Sequence, residues 1–397
     1  MTPRWNGGPE RGYLPGTPPR RMSILKGFLT FLAVLVIVAT VLPLFRAPYW
    51  WVRMFDFPRA QITVFAIVTL LLFGVANIGR AQAGAFEWAL FAVLAVCVLY
   101  QSFRMMKYTA VWPNETLEAT PDAAQSERRL RLMMTNVLME NRKGDLWLSV
   151  VREADPDVII AVETDRWWAD TIAALDDEYP HKVEKPQDDT YGMVVRSRLP
   201  LSDVEVKHLT EPEVPSIFVK AELPSGERVQ LVFLHPRPPR PDIGQGSHLR
   251  DAELVKAAGI VQGIDEPVVV AGDMNDVAWS HTTNLFQDVS DLLDPRVGRG
   301  FFNTFHADHW WLRYPLDHVF HSDDFALVDM RRLETVGGDH FPMLVELAID
   351  PARRPLQEAP EALGDEQESA AETLDEAQEF KAEESPEERK ERIEADV

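Results

Sequence analysis

The chain has 397 residues, 46% of them hydrophobic, with a formal net charge of −22, which is too long for one ordinary domain with tails and apolar enough for a sizeable core. A single cysteine, Cys97, excludes a disulfide framework. Charge is unevenly spread: residues 351–397 carry 16 acidic and six basic side chains, residues 1–107 carry 11 basic and three acidic, and the stretch between them stands near −20. So acidic a middle, without a basic stripe, argues against a generic grip on nucleic acid.

Residues 1–21 are rich in Pro, Gly and Arg and read as a disordered N-terminus. Residues 22–107 hold three apolar stretches, from about Ile24 to Phe45, Ile62 to Ile78 and Phe86 to Phe103. Each is near the roughly 20 residues that crossing a bilayer core requires. Phe, Leu, Val and Ala occur all around these helices rather than in one stripe, as in a membrane span and unlike a soluble hairpin. Trp50, Trp51, Trp88 and Tyr100 sit near the span ends, where an aromatic belt forms. Arg20, Arg21 and Lys26 precede the first span and Arg46, Arg53 and Arg59 follow it, so basic-residue counting leaves the topology open.

Residues 108–127, with Pro113 and Pro121, read as a polar linker. Residues 128–350 alternate strand-like and helix-like pieces. Leu130 to Leu138, Val158 to Val162, Gly192 to Val195, Ile217 to Leu223 and Val229 to Leu234 are the predicted strands. Asp145 to Ala154 and Ser247 to Gly263 are the predicted helices, the second leading into an apolar strand before Asp273. Such mixing predicts a layered α/β or α+β domain. Residues 351–397 are Glu- and Ala-rich and read as a solvated, disordered acidic tail, with a transient helix near Glu372 to Glu391.

Polar residues gather where the apolar runs end. Asn136 closes Leu132 to Thr135, Glu163 closes Val158 to Val162, and His235 closes Val232 to Leu234. Asp273 and Asn275 close Val268 to Ala271, two apart and therefore on one face if the strand continues. Asp317 and His318 precede Val319-Phe320, and Asp339-His340 precede Phe341-Pro342. Any one of these is an ordinary turn or cap residue. Their order is the specific signal: Asn, then Glu, then His, then Gly272-Asp273-Met274-Asn275, then Asp317-His318, then Asp339-His340.

That order resembles the endonuclease/exonuclease/phosphatase superfamily, the metal-dependent phosphoesterases with a DNase I-like fold. The resemblance covers about residues 128–350 and implies a four-layer α/β sandwich. Gly338 departs from the pattern, which has Ser before the Asp-His pair. The resemblance implies hydrolysis of a phosphoester by metal-assisted attack of water. Glu163 would supply a hard oxygen ligand to Mg²⁺ or Mn²⁺, supported by Asn136 and Asp339. Asp273 would orient or deprotonate water and Asn275 would bind the phosphate. Asp317 would fix the tautomer of His340, and His235 would be a second imidazole and acid for the leaving oxygen. Tyr191 and Arg237 are weaker candidates for substrate contact. His306, His309, Trp310 and Trp311 form a further polar-aromatic cluster with no zinc-like third partner in spacing.

The three spans place the expected enzyme at a bilayer, with lipid head groups, small phosphoesters or nucleic acid as substrates. Membrane-anchored bacterial members of the superfamily favour a plasma-membrane protein with its catalytic domain on the extracytoplasmic side. A metal-dependent endo- or exonuclease is the alternative within the superfamily. A catalytically inactive membrane receptor or scaffold is the alternative of another kind, and it would show as a lost metal or imidazole position; none is lost.

Overall fold

A computed structural model of the chain describes residues 20–78, 84–240 and 245–394. All but the end of the predicted disordered N-terminus, residues 1–21, lies outside the described residues. The chain divides into two compact units, one of residues 1–41 and 60–101, the other of residues 42–59 and 102–397.

The first unit holds the apolar helices α1 (Arg20–Val41), α3 (Arg59–Ile78) and α4 (Ala85–Met106); the short α2 (Trp50–Arg53) belongs to the second. Three helices are long and apolar enough to cross a membrane, over Ile24–Phe45, Arg59–Ala76 and Ala85–Met106. Leu29, Ala33, Val36, Ala66, Phe73, Leu90 and Leu94 pack among them. Phe28, Leu71 and Val96 point outward and exposed, which only an apolar surrounding would favour.

The second unit is a four-layer sandwich. Its strands are β1 (Arg129–Asn136), β2 (Val158–Val162), β3 (His181–Lys185), β4 (Met193–Ser197), β5 (Leu201–Lys207), β6 (Ser216–Glu222), β7 (Arg228–Leu234), β8 (Val268–Asp273), β9 (Asp317–His321), β10 (Phe325–Arg332) and β11 (Met343–Ile349). One sheet runs β10-β11-β1-β2-β4-β3 and the other β5-β6-β7-β8-β9. Their inner faces meet in one core, with Leu132, Ile160 and Val195 from the first sheet against Val219, Phe233 and Val269 from the second. Helices α5 (Gly144–Ala154) and α6 (Arg166–Ile172) cover the outer face of the first sheet through Trp147, Val151 and Trp168. Helices α7 (His248–Gln262) and α8 (His281–Ser290) cover the second through Leu254, Ala258 and Phe286. With both faces of the central strands buried, β2 and β8 are continuous apolar runs rather than alternating ones. Asp165 caps α6 by accepting from Trp168 N at 2.8 Å, and Ser280 caps α8 by accepting from Thr283 N at 2.9 Å.

The two halves share a topology that the sequence does not reveal as a repeat. In each, a strand leads through a helix to a parallel neighbour, β1-α5-β2 and β7-α7-β8, and antiparallel strands flank the pair. Gly272 lies where β8 passes closest to β7: a Cβ there would collide with the Leu234 carbonyl oxygen. Gly272→Ala is accordingly expected to cost about 3 kcal/mol or more of stability, measurable as a lowered thermal midpoint of the purified protein. An unchanged midpoint would show that the two strands can separate.

The flanking segments differ from the sequence reading. Residues 108–127, expected as a linker, lie along the second unit: Tyr108 is buried with its hydroxyl on Ala278 O at 2.6 Å, and Thr116 Oγ1 bonds His321 Nε2 at 2.8 Å. The acidic C-terminal segment, expected to be disordered with one transient helix, carries α9 (Gly364–Glu383) and α10 (Pro386–Glu394). The few non-acidic groups hold it in place. Ala377 is buried, Phe380 stacks on His248 with ring centroids 4.8 Å apart, and Arg392 pairs with Glu211 and Glu384.

Candidate active site

Both parallel pairs end at the same rim. Asn136 closes β1 and Glu163 follows β2; His235 follows β7 and Asp273 closes β8. The Asn136 side-chain amide joins the pairs, donating to Glu163 Oε1 at 2.7 Å and Asp273 Oδ2 at 3.1 Å. Its own carbonyl oxygen accepts from Leu138 N at 2.9 Å, which fixes the amide's orientation. Carboxyl ends of parallel strands are where open α/β sheets collect their ligands. Here two sheets present those ends together.

The remaining groups come from antiparallel neighbours. Asp317 begins β9, in register with Asp273. His340 precedes β11, its Nδ1 donating to Asp317 Oδ2 at 2.7 Å, and its Nε2 lies 3.5 Å from Asp273 Oδ2. Asp273 Oδ1 accepts from Asn275 N at 3.0 Å, and Asn275 Nδ2 donates to Pro236 O at 3.0 Å. His235 Nε2 stands 4.0 Å from Asp273 Oδ2, and its Nδ1 is buried with no hydrogen-bond partner among the described residues. Glu163 and Asn275 both hold left-handed backbone conformations, φ +59° and +51°. Asn tolerates that region, whereas Glu enters it rarely and against strain.

Electrostatics sort these groups. Burial works against charge on His340, but Asp317 and Asp273 prevail and hold the imidazole protonated, up to about 10. Burial pushes His235 down to about 4 despite Asp273, so it is neutral. Burial also raises Asp273 and lifts Glu163 to about 7, the latter only partly offset by the Asn136 hydrogen bond and His340, with Asp339 and Asp273 adding repulsion.

Glu163, Asp273, Asn275, Asp339 and His340 line one cleft of about 340 Å³. Asp273, Asp317 and His340 present ligand atoms within 4.8 Å of one another. Both nitrogens of His340 already face carboxylates, however, so that trio is an imidazolium between two anions. The carboxylates lining the cleft that make no close ion pair among the described residues are Glu163 and Asp339, hard oxygens that suit Mg²⁺ or Mn²⁺. Under-compensated carboxylates at a cleft fit a divalent cation.

Tyr191 and Arg237 are brought near but not into the cleft lining. Tyr191 packs on His235 with ring centroids 5.7 Å apart, and the Arg237 guanidinium lies 4.8 Å over the Tyr191 ring while paired to Glu211 at 2.7 Å. His318, adjacent to Asp317, points away: Arg296 Nη2 donates to its Nδ1 at 2.7 Å and its Nε2 donates to Asp276 O at 2.8 Å. His306 and His309 contact ring to ring at 4.5 Å and join no group of three metal-ligand side chains among the described residues.

Sequence reasoning missed two sets of residues. Arg250 donates to Asn275 O at 2.8 Å and pairs with Asp276 at 3.1 Å, and Arg53, from the connector between the first two apolar helices, pairs with Asp276 at 3.2 Å. The same connector lines the cleft with Trp50, Met54 and Phe57. The only signal was Asp276 itself, a third polar residue directly after Asn275; its partners lie far away in sequence.

Among solved structures, the chain is similar to an endonuclease/exonuclease/phosphatase from Beutenbergia cavernae, at 19% identity over 57% of this chain and 72% of that one, TM-score 0.45. The human nocturnin catalytic domain aligns at 17% identity over 56% and 94%, TM-score 0.46. An endonuclease/exonuclease/phosphatase from Bacteroides vulgatus aligns at 17% over 56% and 99%, TM-score 0.46. No match is found among the curated proteins. The Endonuclease/Exonuclease/phosphatase family profile matches residues 135–340, more than half of the chain and a span that takes in Asn136, Glu163, His235, Asp273, Asp317 and His340. With its two-sheet, DNase I-like architecture, this chain is a member of the endonuclease/exonuclease/phosphatase family.

Proposed function

We propose that the chain is a membrane-anchored, divalent-metal-dependent phosphoesterase. The observation that carries this reading is the cleft where Glu163, Asp273 and Asp339 meet the protonated His340. Members of this family are typically hydrolases of phosphoesters. A bound Mg²⁺ or Mn²⁺, held by Glu163 and Asp339, would neutralise charge on the phosphoryl oxygens. Asn136, its amide oriented by Leu138 N, positions the Glu163 and Asp273 carboxylates rather than ligating. Asp273 orients a water and accepts its proton as the water oxygen bonds to phosphorus. His340 hydrogen-bonds the phosphoryl group and gives a proton to the departing alcohol oxygen as the P–O bond breaks. It then recovers a proton from Asp273, 3.5 Å away, which restores both groups. Asp317 keeps the imidazole oriented and charged. Neutral His235, buried beside Asp273, backs that carboxylate, and Asn275 holds the phosphate.

The three apolar helices, together with the connector that joins the second unit, support membrane anchoring. Full-length protein in detergent is expected to hydrolyse bis(p-nitrophenyl) phosphate with added Mg²⁺ or Mn²⁺ and to stop in excess chelator. His340→Ala should lower turnover on the order of a hundredfold or more. Undiminished activity in chelator would overturn the metal-dependent reading.

A further inference from the structure

Much of the cleft lining is apolar, and the connector supplies three of those side chains. Trp50, Met54 and Phe57 stand there with Pro238, Phe305 and Leu316. The connector occupies residues 42–59, and each of its ends runs directly into a helix apolar enough to span a bilayer. Several of its apolar side chains stay uncovered, with Trp51 47% and Met54 48% exposed. Phe57 also packs edge-on against Tyr314, ring centroids 5.8 Å apart. Tyr314 pairs with Phe305 at the stem of a loop whose tip presents Trp310 and Trp311, 78% and 56% exposed. Tryptophans with an apolar body and a polar N–H favour the bilayer interface. A site for a small soluble phosphoester has no use for such a wall and rim, and a nucleic-acid groove would carry uncompensated Lys and Arg, whereas Arg53, which also lines the cleft, is buried and paired with Asp56, Asp251 and Asp276.

We infer that the substrate of this cleft is an amphiphilic phosphoester drawn from the bilayer, its phosphate at the carboxylate and imidazole groups and its acyl chain along Trp50, Met54 and Phe57. This rests on the phosphoesterase reading. The geometry assigns the connector between the first two spans a second task, as the acyl-chain side of the binding site. Each methylene that the wall keeps out of water while the phosphate reaches the carboxylates avoids roughly a fourfold loss in kcat/KM, so a wall shielding a few methylenes carries on the order of a hundredfold for an acylated substrate.

The test compares three substrates on full-length protein with Mg²⁺ or Mn²⁺: phosphatidylglycerol in mixed phosphatidylcholine vesicles, the deacylated glycerophosphodiester, and a single-stranded oligonucleotide. Released phosphoester product is followed directly. The inference expects the acylated substrate to lead, and expects Trp50→Ala and Met54→Ser to shrink the ratio of acylated to deacylated kcat/KM about tenfold. That ratio responds to the wall and is insensitive to the fraction of folded enzyme. Equal rates on acylated and deacylated substrates, or preference for the oligonucleotide, would overturn the inference while leaving the phosphoesterase reading intact. Absence of hydrolysis on all three and on bis(p-nitrophenyl) phosphate would overturn both.

Discussion

Glu163→Gln is expected to abolish metal-dependent turnover, by on the order of a thousandfold or more, while leaving the metal-free protein at least as stable as the parent. The carboxylate sits in the cleft beside Asp339 and Asp273, with Asn136 Nδ2 and the more distant Met139 N as its hydrogen-bond donors. Without a cation its ionised form is poorly compensated, which is why burial lifts it from 4.5 to about 7. A carboxyl with a raised folded-state pKa contributes stability that is fully present below about 4.5 and is lost as pH rises through about 7. Metal-free wild type should therefore lose the Glu163 share of its stability across that window, and the Gln variant should not. Mg²⁺ or Mn²⁺ should then raise the wild-type thermal midpoint, by about 2.7 kcal/mol of added stability at a hundred times Kd. The variant should respond weakly. Thermal melts of both proteins at several pH values, with and without metal, check each step. A variant that is active, or that gains as much from the metal as wild type, would remove Glu163 from the metal site.

The site was legible in sequence because its groups sit at the ends of buried strands. A run such as Val158 to Val162 cannot be polar, so Glu163 immediately after it stands out, as do His235, Asp273 and Asp317 beside theirs. The sandwich core was legible for the same reason. Edge strands were not: β3, His-Lys-Val-Glu-Lys, and β5, Leu-Ser-Asp-Val-Glu-Val-Lys, expose much of their surface and carry little apolar signal. The strain at Glu163 and the division of labour between His318 and His340 depend on backbone direction, which no spacing reports. Arg237, a candidate for substrate contact, is instead buried against Glu211 and Tyr191. The connector was read as a link between spans, because what makes it part of the site is a set of partners some two hundred residues away.

Those partners make Arg53 the second position of large expected effect. Three arginines and three aspartates form one buried network: Arg53 with Asp56, Asp251 and Asp276, Arg59 with Asp56, and Arg250 with Asp251 and Asp276. Arg53 Nη2 also donates to Thr282 Oγ1 at 2.8 Å, and Trp279 Nε1 donates to Asp56 O at 2.7 Å. Removing one member of a buried pair leaves an uncompensated charge, a loss of about 3–5 kcal/mol. Arg53→Met is expected to cost that much, since the charge balance of the network then fails at Asp276. Asp276 follows Asn275, and Arg250 holds both, so the turn at Asn275, proposed to hold the phosphate, should loosen and kcat fall with stability. Arg53→Met combined with Asp276→Asn should recover part of the stability, because the orphaned anion is gone. Chemical denaturation of the four proteins of this cycle gives the coupling, and an additive cycle would exclude the pairing. The network also limits where the second unit can be cut. A fragment that starts after the third apolar helix discards Arg53, Asp56, Trp50 and Phe57 together, and it should be less stable and less active than the full chain. The connector is thus a structural part of the candidate site, so on the proposed reading activity should depend on the intact chain, apolar helices included.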